Sequence, residues 1–459
     1  MLRLLSSKLK KKREILSILL LTSVTLVVFL KSLNYDFLWL DHLQIKNRES
    51  ILENKEDFRD SFVNSILKDG SKRDYYRPIF KIAHSLNYYL CQESPFGFRL
   101  GSILIHILNT ILLYLILLRL KISQSISLML VLLWSLLPIN LSAVVLISAR
   151  ADLLAAFFIL SSLLSLILFL EKGSKGFMAL SIVAYALALL SKEISWPFFL
   201  VVWIIIKIKN KLKLYNIGFL LLALGYLFVR FKVVGHVGSS ISFLRGEFFV
   251  TALSSFAGFS RYLFKFFIPV NLSISDAFPK YSSIFNFEVV FGLILLFMLF
   301  LFFIRYVKKD NFILSLFLGW VLFFYIPISN IVPALHFWAE RFFYLPGIGL
   351  IGIASYLMSG KKIFRLPLIA VILFYGIINL NYQNYFKNNE ILFRRAIGIS
   401  LKSEEAYNML GYHYLLKNDY FQAIYWYYLA VQDFSGYYTY SSLTETYNNL
   451  GVALEIETV

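Results

Sequence analysis

Apolar runs follow one another along almost the whole chain, over residues 14–33, 100–120, 125–139, 152–170, 177–190, 196–208, 216–233, 286–304, 311–327, 343–358 and 366–380. A helix needs about 20 apolar residues to cross a bilayer, and several of these runs are short against that length. A series of this kind admits one fold class: an all-α polytopic membrane protein of about eleven transmembrane helices. Composition agrees, since 59% hydrophobic and 16% charged residues in a chain of 459 exclude a soluble domain. The 45 Phe and 29 Tyr suit lipid-facing helices and interfacial belts. The first run is too long for a secretory signal peptide, and no small-residue cleavage site follows it.

The net charge of +18 suggests nucleic acid at first sight. The basic residues instead gather in loops of one parity, as the positive-inside rule expects, so no nucleic-acid partner is expected. They lie at Lys8 to Arg13, Arg119 and Lys121, Lys172 and Lys175, Lys207 to Lys213, Lys308 and Lys309, and Lys361, Lys362 and Arg365. This series places the N-terminus in the cytoplasm. Residues 245–268 are apolar but carry Arg261 and Lys265. A crossing there would turn the later basic clusters outward, so the stretch is expected to be interfacial or re-entrant. In the first external loop, residues 34–99, Phe58, Phe62, Val63, Ile66 and Leu67 recur at helical spacing. They predict an amphipathic helix, lying on the membrane or packed on the protein's own loops.

The opposite loops hold charges where apolar runs begin or end. Ionisable groups there are costly and commonly mark a substrate path. Asp41 follows the first run within Asn34-Tyr35-Asp36-Phe37-Leu38-Trp39-Leu40-Asp41-His42. A carboxylate there suits a general base, and equally a helix cap or an interfacial group. Arg77 precedes the second run, where a guanidinium can meet a lipid phosphate or anchor a headgroup. Arg150 and Asp152 open the fourth run, Lys192 and Glu193 end the fifth, and Glu340 and Arg341 enter the tenth. Each pair alone can be mutual neutralisation. Together they predict a shared site for an anionic, membrane-borne substrate. His106 and Asn109 share a helix face and are expected as buried hydrogen-bonding partners. No Walker loop, dinucleotide fingerprint or His/Cys metal cluster is found, so neither cofactor nor metal is expected. The single Cys91 excludes an intrachain disulfide.

After residue 385 the apolar runs stop. Tyr407-Asn408-Met409-Leu410-Gly411 is echoed by Tyr447-Asn448-Asn449-Leu450-Gly451, with Ala423 and Ala430 between them. These positions predict a tetratricopeptide-like helical repeat over 386–459, following a membrane domain over 1–385. The echo spacing of about 40 is longer than the usual ~34, and such repeats need neighbours to bury their faces.

The ordered motifs resemble the GT-C membrane glycosyltransferases with C-terminal TPR repeats, bacterial relatives of the transmembrane-and-TPR O-mannosyltransferases. The resemblance rests on Trp39-Leu40-Asp41, Tyr76-Arg77-Pro78, Phe98-Arg99-Leu100, Ser148 to Ala155, Leu190 to Glu193 and Glu340 to Pro346. It implies an enzyme of the bacterial inner membrane that moves a sugar, often mannose, from a polyprenyl-phosphate donor to a hydroxyl of a protein or glycan acceptor outside the cytoplasm. On that reading Asp41 is the base of an inverting transfer. Asp36, His42, Arg77, Arg150, Asp152, Lys192, Glu193, Glu340 and Arg341 then hold substrate, with membrane lipids as surroundings and the repeat as a protein-binding surface. The family has two adjacent acids after the Trp, and here the first is Leu40. A lipid-saccharide transporter or flippase would show charges deep in mid-span and paired repeats. A catalytically silent scaffold is the other alternative.

Overall fold

The computed structural model describes residues 2–41, 75–209, 213–235, 248–332, 336–432, 436–438 and 443–457. His42 and the expected amphipathic helix around residues 58–67 lie outside the described residues. The chain is all-α and polytopic. Its helices are α1 (Leu2–Phe29), α2 (Pro78–Cys91), α3 (Pro95–Arg119), α4 (Gln124–Leu136), α5 (Leu141–Val145), α6 (Arg150–Lys172), α7 (Lys175–Ser191), α8 (Phe198–Lys209) and α9 (Lys213–Val234). There follow α10 (Phe248–Phe267), α11 (Phe287–Lys308), α12 (Phe312–Tyr325), α13 (Tyr344–Met358), α14 (Arg365–Gln383), α15 (Asn389–Ile399), α16 (Glu404–Leu416), α17 (Tyr420–Ala430) and α18 (Leu443–Glu457). Two short strands, β1 (Phe278–Pro279) and β2 (Tyr437–Tyr438), pair antiparallel.

Every apolar run of the sequence is helical, but the runs differ in reach. Among the described residues seven helices are long and apolar enough to cross a membrane, or eight if a bent pair counts as one span. The bent pair is α4 with the segment after it, which turns by 51° at Pro138, a residue that cannot continue the hydrogen-bond ladder. The runs at α7, α8 and α12 are shorter helices, of 17, 12 and 14 residues. Helix α10 is not among the candidate spans. It buries Ser254, Ala257 and Gly258 while leaving Phe248, Phe249, Phe264 and Phe267 exposed, an amphipathic division suited to an interface.

Local chemistry sets the helix ends. Pro78 and Pro95 open α2 and α3, where a missing N–H costs nothing. Asn286, Asn311, Asn388, Ser403 and Asp419 cap the helices they precede through their side chains. Gly173 ends α6 in the left-handed region, with φ 71°.

Small and polar residues hold the apolar helices together, since lipid offers no hydrophobic drive between them. Ser162 of α6 and Ser181 of α7 each donate to the other's backbone carbonyl, at 2.7 and 2.8 Å. His106 and Asn109 of α3 both meet the Tyr344 hydroxyl, at 2.7 and 3.1 Å, as buried hydrogen-bonding partners. Gly292 of α11 lies so close to Phe256 of α10 that a Cβ would stand 1.8 Å from a carbonyl oxygen.

Helices α15 to α18 stack in sequence order beside the membrane helices. Gly411 of α16 faces the Tyr427 ring of α17, where a Cβ would sit 2.7 Å from the ring. This stack is tied to the segment after α10. Ser275 Oγ donates to Glu405 at 2.7 Å, and the Lys280 N–H donates to the Gly436 carbonyl at 2.8 Å.

Candidate functional site

The chain leaves α1 through a 3-10 turn, Leu30–Asn34, and bends sharply over residues 35–41. Asp41 closes this bend. Its Oδ2 accepts from the Leu38 N–H at 3.1 Å and its Oδ1 from the Ser148 N–H at 2.7 Å, and the residue is wholly buried. Burial raises its pKa above the ordinary aspartate value, against the opposing pull of Arg99 and the two backbone donors. Arg99, in the first turn of α3, donates to the carbonyls of Val145, Tyr35 and Asp36 at 3.1, 2.5 and 2.8 Å. The guanidinium thus pins the bend to the segment that precedes α6. Asp36 contributes backbone groups here, and its side chain is exposed.

Arg150 begins α6 and is equally buried. It donates to Ser102 Oγ at 3.1 Å, to Asn87 Oδ1 at 2.5 Å and to the Phe98 carbonyl. These bonds brace α2 and α3 against α6. Arg150 is therefore placed near Asp41 electrostatically, with its donors turned to the protein.

A second group of charges lies beside the first. Lys192, just after α7, donates to Asp152 Oδ1 at 2.6 Å. The Arg77 Nε donates to Glu193 Oε2 at 3.0 Å, and a second guanidinium nitrogen meets Oε1, a bidentate pair. Burial opposes the charge on Glu193, yet Arg77, Arg230 and Lys192 hold its pKa well below the ordinary carboxylate range. Burial likewise lowers the Lys192 pKa, while Asp152 and Glu193 oppose that fall. The Phe342 ring joins these groups to the start of α13. Lys192 Nζ lies 4.8 Å from its centroid and the Arg341 guanidinium 5.1 Å. Arg341 also lies 5.0 Å from the Trp39 ring. Among the described residues Arg341 has neither a carboxylate nor a hydrogen-bond partner, and it is only 8% exposed. Among the described residues of this cluster, Arg77, Lys192, Arg230 and Arg341 outnumber Asp152 and Glu193.

Glu340 points away from its neighbour Arg341. It accepts from Lys265 Nζ at 3.1 Å and from the Ser273 N–H at 2.8 Å. Lys265 also reaches Asp276 at 3.0 Å. Burial works against the Lys265 charge, but Glu340 and Asp276 raise its pKa above the usual lysine value. This group clasps α10 and the segment after it to the entry of α13.

The structure thus gathers Arg77, Asp152, Lys192, Glu193 and Arg341, sets Asp41 and Arg150 in an adjoining network, and separates Glu340. Sequence reasoning missed Arg99, Arg230, Lys265 and Asp276 as members of these networks. Arg99 stood within a quoted motif, and Arg230 is a charge near the end of an apolar run. Lys265 was visible only as a reason to doubt a crossing.

Comparison with known proteins bears on this arrangement. The model of the dolichyl-phosphate-mannose-protein mannosyltransferase family matches residues 69–238. That stretch holds Arg77, Arg99, Arg150, Asp152, Lys192, Glu193 and Arg230, and it ends before the C-terminal helices. The human Protein O-mannosyl-transferase TMTC4 is 29% identical over 199 residues, covering 38% of this chain and 27% of the relative. The match thus spans about a quarter of that protein's length. With the family match and this relative, the chain's resemblance to the GT-C membrane mannosyltransferases stands.

Proposed function

We propose that the protein is a membrane glycosyltransferase that moves a sugar, with mannose as the first candidate, from a polyprenyl-phosphate donor to a hydroxyl acceptor. The observation that carries this reading is Arg341. A desolvated guanidinium without an anion is costly. Here it lies with Lys192 on one aromatic ring, in a cluster whose described residues hold more cations than carboxylates, at one end of a bundle of apolar helices. A lipid-borne phosphate has the charge that this cluster lacks and reaches it from the bilayer.

In the reaction the acceptor oxygen attacks the anomeric carbon as the bond from that carbon to the phosphate oxygen breaks. The electron pair of that bond leaves on the lipid phosphate, where Arg341, Lys192 and Arg77 stabilise the charge. The hydroxyl proton passes to Asp41, and attack opposite the leaving group inverts the configuration. Its raised pKa makes Asp41 a stronger base than an exposed aspartate. Each carboxylate oxygen keeps a lone pair beyond the backbone bond it accepts. Asp41 is enclosed in this state, so the bend over residues 35–41 has to open for an acceptor to reach it.

That enclosure favours a second reading, in which Asp41 only closes the bend and the protein is a silent scaffold, with Leu40 where relatives of this type carry an acid. Purified protein in detergent, incubated with a radiolabelled polyprenyl-phosphate mannose and a peptide mixture, separates the two. Transfer by the wild type that is lost in Arg341→Met supports the enzyme. No transfer with any lipid-linked sugar supports the scaffold. The C-terminal helices, on this proposal, present protein acceptors beside the site, and the membrane is the bacterial inner membrane.

A further inference from the structure

The bend that carries Trp39 is held from two directions. On the inner side Asp41 and Arg99 bind its backbone, as described above. On the other side three bonds come from residues 384–389, where the membrane helices give way to the C-terminal stack. Lys31 Nζ donates to Asn384 Oδ1 at 2.5 Å, the Asp36 N–H to the Lys387 carbonyl at 3.2 Å, and the Trp39 N–H to Asn389 Oδ1 at 2.7 Å. Asn389 is the first residue of α15.

Trp39 has φ 49°, in the left-handed region. A bulky side chain adopts that conformation only where its surroundings impose it, and such residues gather at functional sites. The ring that this backbone projects meets the Arg341 guanidinium at 5.0 Å and the edge of the His336 ring at 5.5 Å. Rotation of Trp39 to an ordinary negative φ would swing the indole off Arg341. The Asn389 oxygen fixes the plane of the 38–39 peptide through the Trp39 N–H, and Asp41, bonded to the Leu38 carbonyl and to Ser148, fixes the chain beyond Trp39, so φ changes only if one of these bonds breaks.

We infer that Asn389 is a positioning residue for the cation cluster: its side-chain oxygen holds Trp39 left-handed and so fixes the indole wall against which Arg341 meets a lipid phosphate. This couples the C-terminal helices to the membrane-embedded charges through one side chain. It rests on the proposed donor reading for the identity of the anion, and on geometry alone for the coupling. Asn389 touches no reacting group, so its effect passes through Trp39.

The test uses the full chain in detergent micelles and two readouts. The first is hydrogen exchange of peptides covering residues 35–41. The second is binding of a long-chain polyprenyl phosphate. Asn389→Ala removes the acceptor, Asn389→Asp retains an oxygen in its place, and Arg394→Ala disturbs contacts with Glu390, Tyr414 and Trp426 within the C-terminal stack without touching the bend. Asn389→Ala is expected to speed exchange in the bend and to weaken lipid-phosphate binding by up to about tenfold, the scale of one lost hydrogen bond. Asn389→Asp and Arg394→Ala are expected to stay near wild type in both. Unchanged exchange in Asn389→Ala overturns the positioning role. Faster exchange with unchanged binding overturns the coupling to the cluster. Failure of the wild type to bind polyprenyl phosphate overturns the donor reading and, with it, the anion named here, while exchange still decides whether Asn389 holds Trp39.

Discussion

Lys192 Nζ stands 2.6 Å from Asp152 Oδ1, and both side chains are less than a tenth exposed. Removing one partner from such a pair leaves a buried charge unmatched and typically costs about 3–5 kcal/mol, whereas replacing both with apolar groups can be close to neutral. Lys192→Met is therefore expected to lower the thermal midpoint of the detergent-solubilised protein markedly. Lys192→Met with Asp152→Leu should recover much of that loss. A single variant as stable as the wild type would show that solvent already reaches the pair.

Glu193 gives a pH signature. Its pKa is depressed in the folded protein, with Arg77 and Arg230 overcoming the opposing effect of burial. A depressed acid contributes stability that is fully present above the unfolded value of about 4.3 and fades as pH falls from there toward the folded value. The carboxylate keeps 30% of its surface exposed, so water screens the pair and the contribution is modest. The stability difference between wild type and Glu193→Gln should be constant from pH 8 to 6 and shrink below about pH 4. Melting curves across that range measure it. A difference that grows in acid would contradict the assigned partner.

Asp41 shifts the other way. Burial raises its pKa, so protonation begins at higher pH than for an exposed aspartate. As a general base it would lose activity on that acid limb, and the transfer rate should fall on acidification before ordinary carboxylates titrate. Asp41→Asn should reduce turnover by ~10²–10⁴ while leaving polyprenyl-phosphate binding intact. Equal turnover in Asp41→Asn and wild type would assign Asp41 to closing the bend. Loss of activity in Asp36→Asn alone would move the base there.

The apolar runs made the fold class legible, because no other architecture hides so much hydrocarbon. The charges at run ends were legible as a group but not as pairs: the sequence set Arg150 beside Asp152 and Lys192 beside Glu193, whereas Lys192 meets Asp152, Arg77 meets Glu193, and Arg341 joins them across Phe342. Direction was the part that sequence could not supply. Glu340 and Arg341 are neighbours in the chain, yet an extended Ala339 and a 3-10 turn send them to different clusters. Arg150 carries the same charge as Arg341, but its reach to Asn87 and Phe98 depends on how α2 folds back on α3. The bond between Trp39 and Asn389 joins residues 350 positions apart, and no local pattern announces it.

Close helix contact predicts a steric asymmetry between glycines. A Cβ on Gly292 would meet a backbone oxygen of α10 at 1.8 Å, whereas one on Gly225 of α9 meets nothing within 4 Å. Gly292→Ala should destabilise by about 1–3 kcal/mol through overpacking. Gly225→Ala should be neutral or gain up to ~1 kcal/mol from helix propensity. Thermal aggregation of the two variants side by side reads the contrast. Similar behaviour would mean that α10 yields freely, and hence that it is not wedged against α11.

Membrane sidedness follows from counting crossings between residues that touch. Lys192 and Arg341 flank one ring, so an even number of crossings separates them. Helices α8, α9, α11 and α12 supply four if each spans, which requires α10 to lie along the surface, as its exposed Phe residues suit. Trp39 touches both Arg341 and Asn389, so α13 and α14 form a further pair and the C-terminal stack shares the side of the cation cluster. On that count the basic clusters at Lys172 and Lys309 are expected to face the other way, into the cytoplasm by the positive-inside rule. In a Cys91→Ser background, a cysteine at Phe421, which is 71% exposed, should react with a membrane-impermeant maleimide on sealed cells. Cysteines at Lys172 and Lys309 should react only after lysis. Labelling of Lys309 in sealed cells, with Lys172 and Phe421 protected, would make α10 a span and break the pairing of crossings. Labelling of Lys172 and Lys309 without Phe421 would keep the pairing and reverse the whole molecule, placing the cation cluster in the cytoplasm and removing the argument for a donor presented on the outer face.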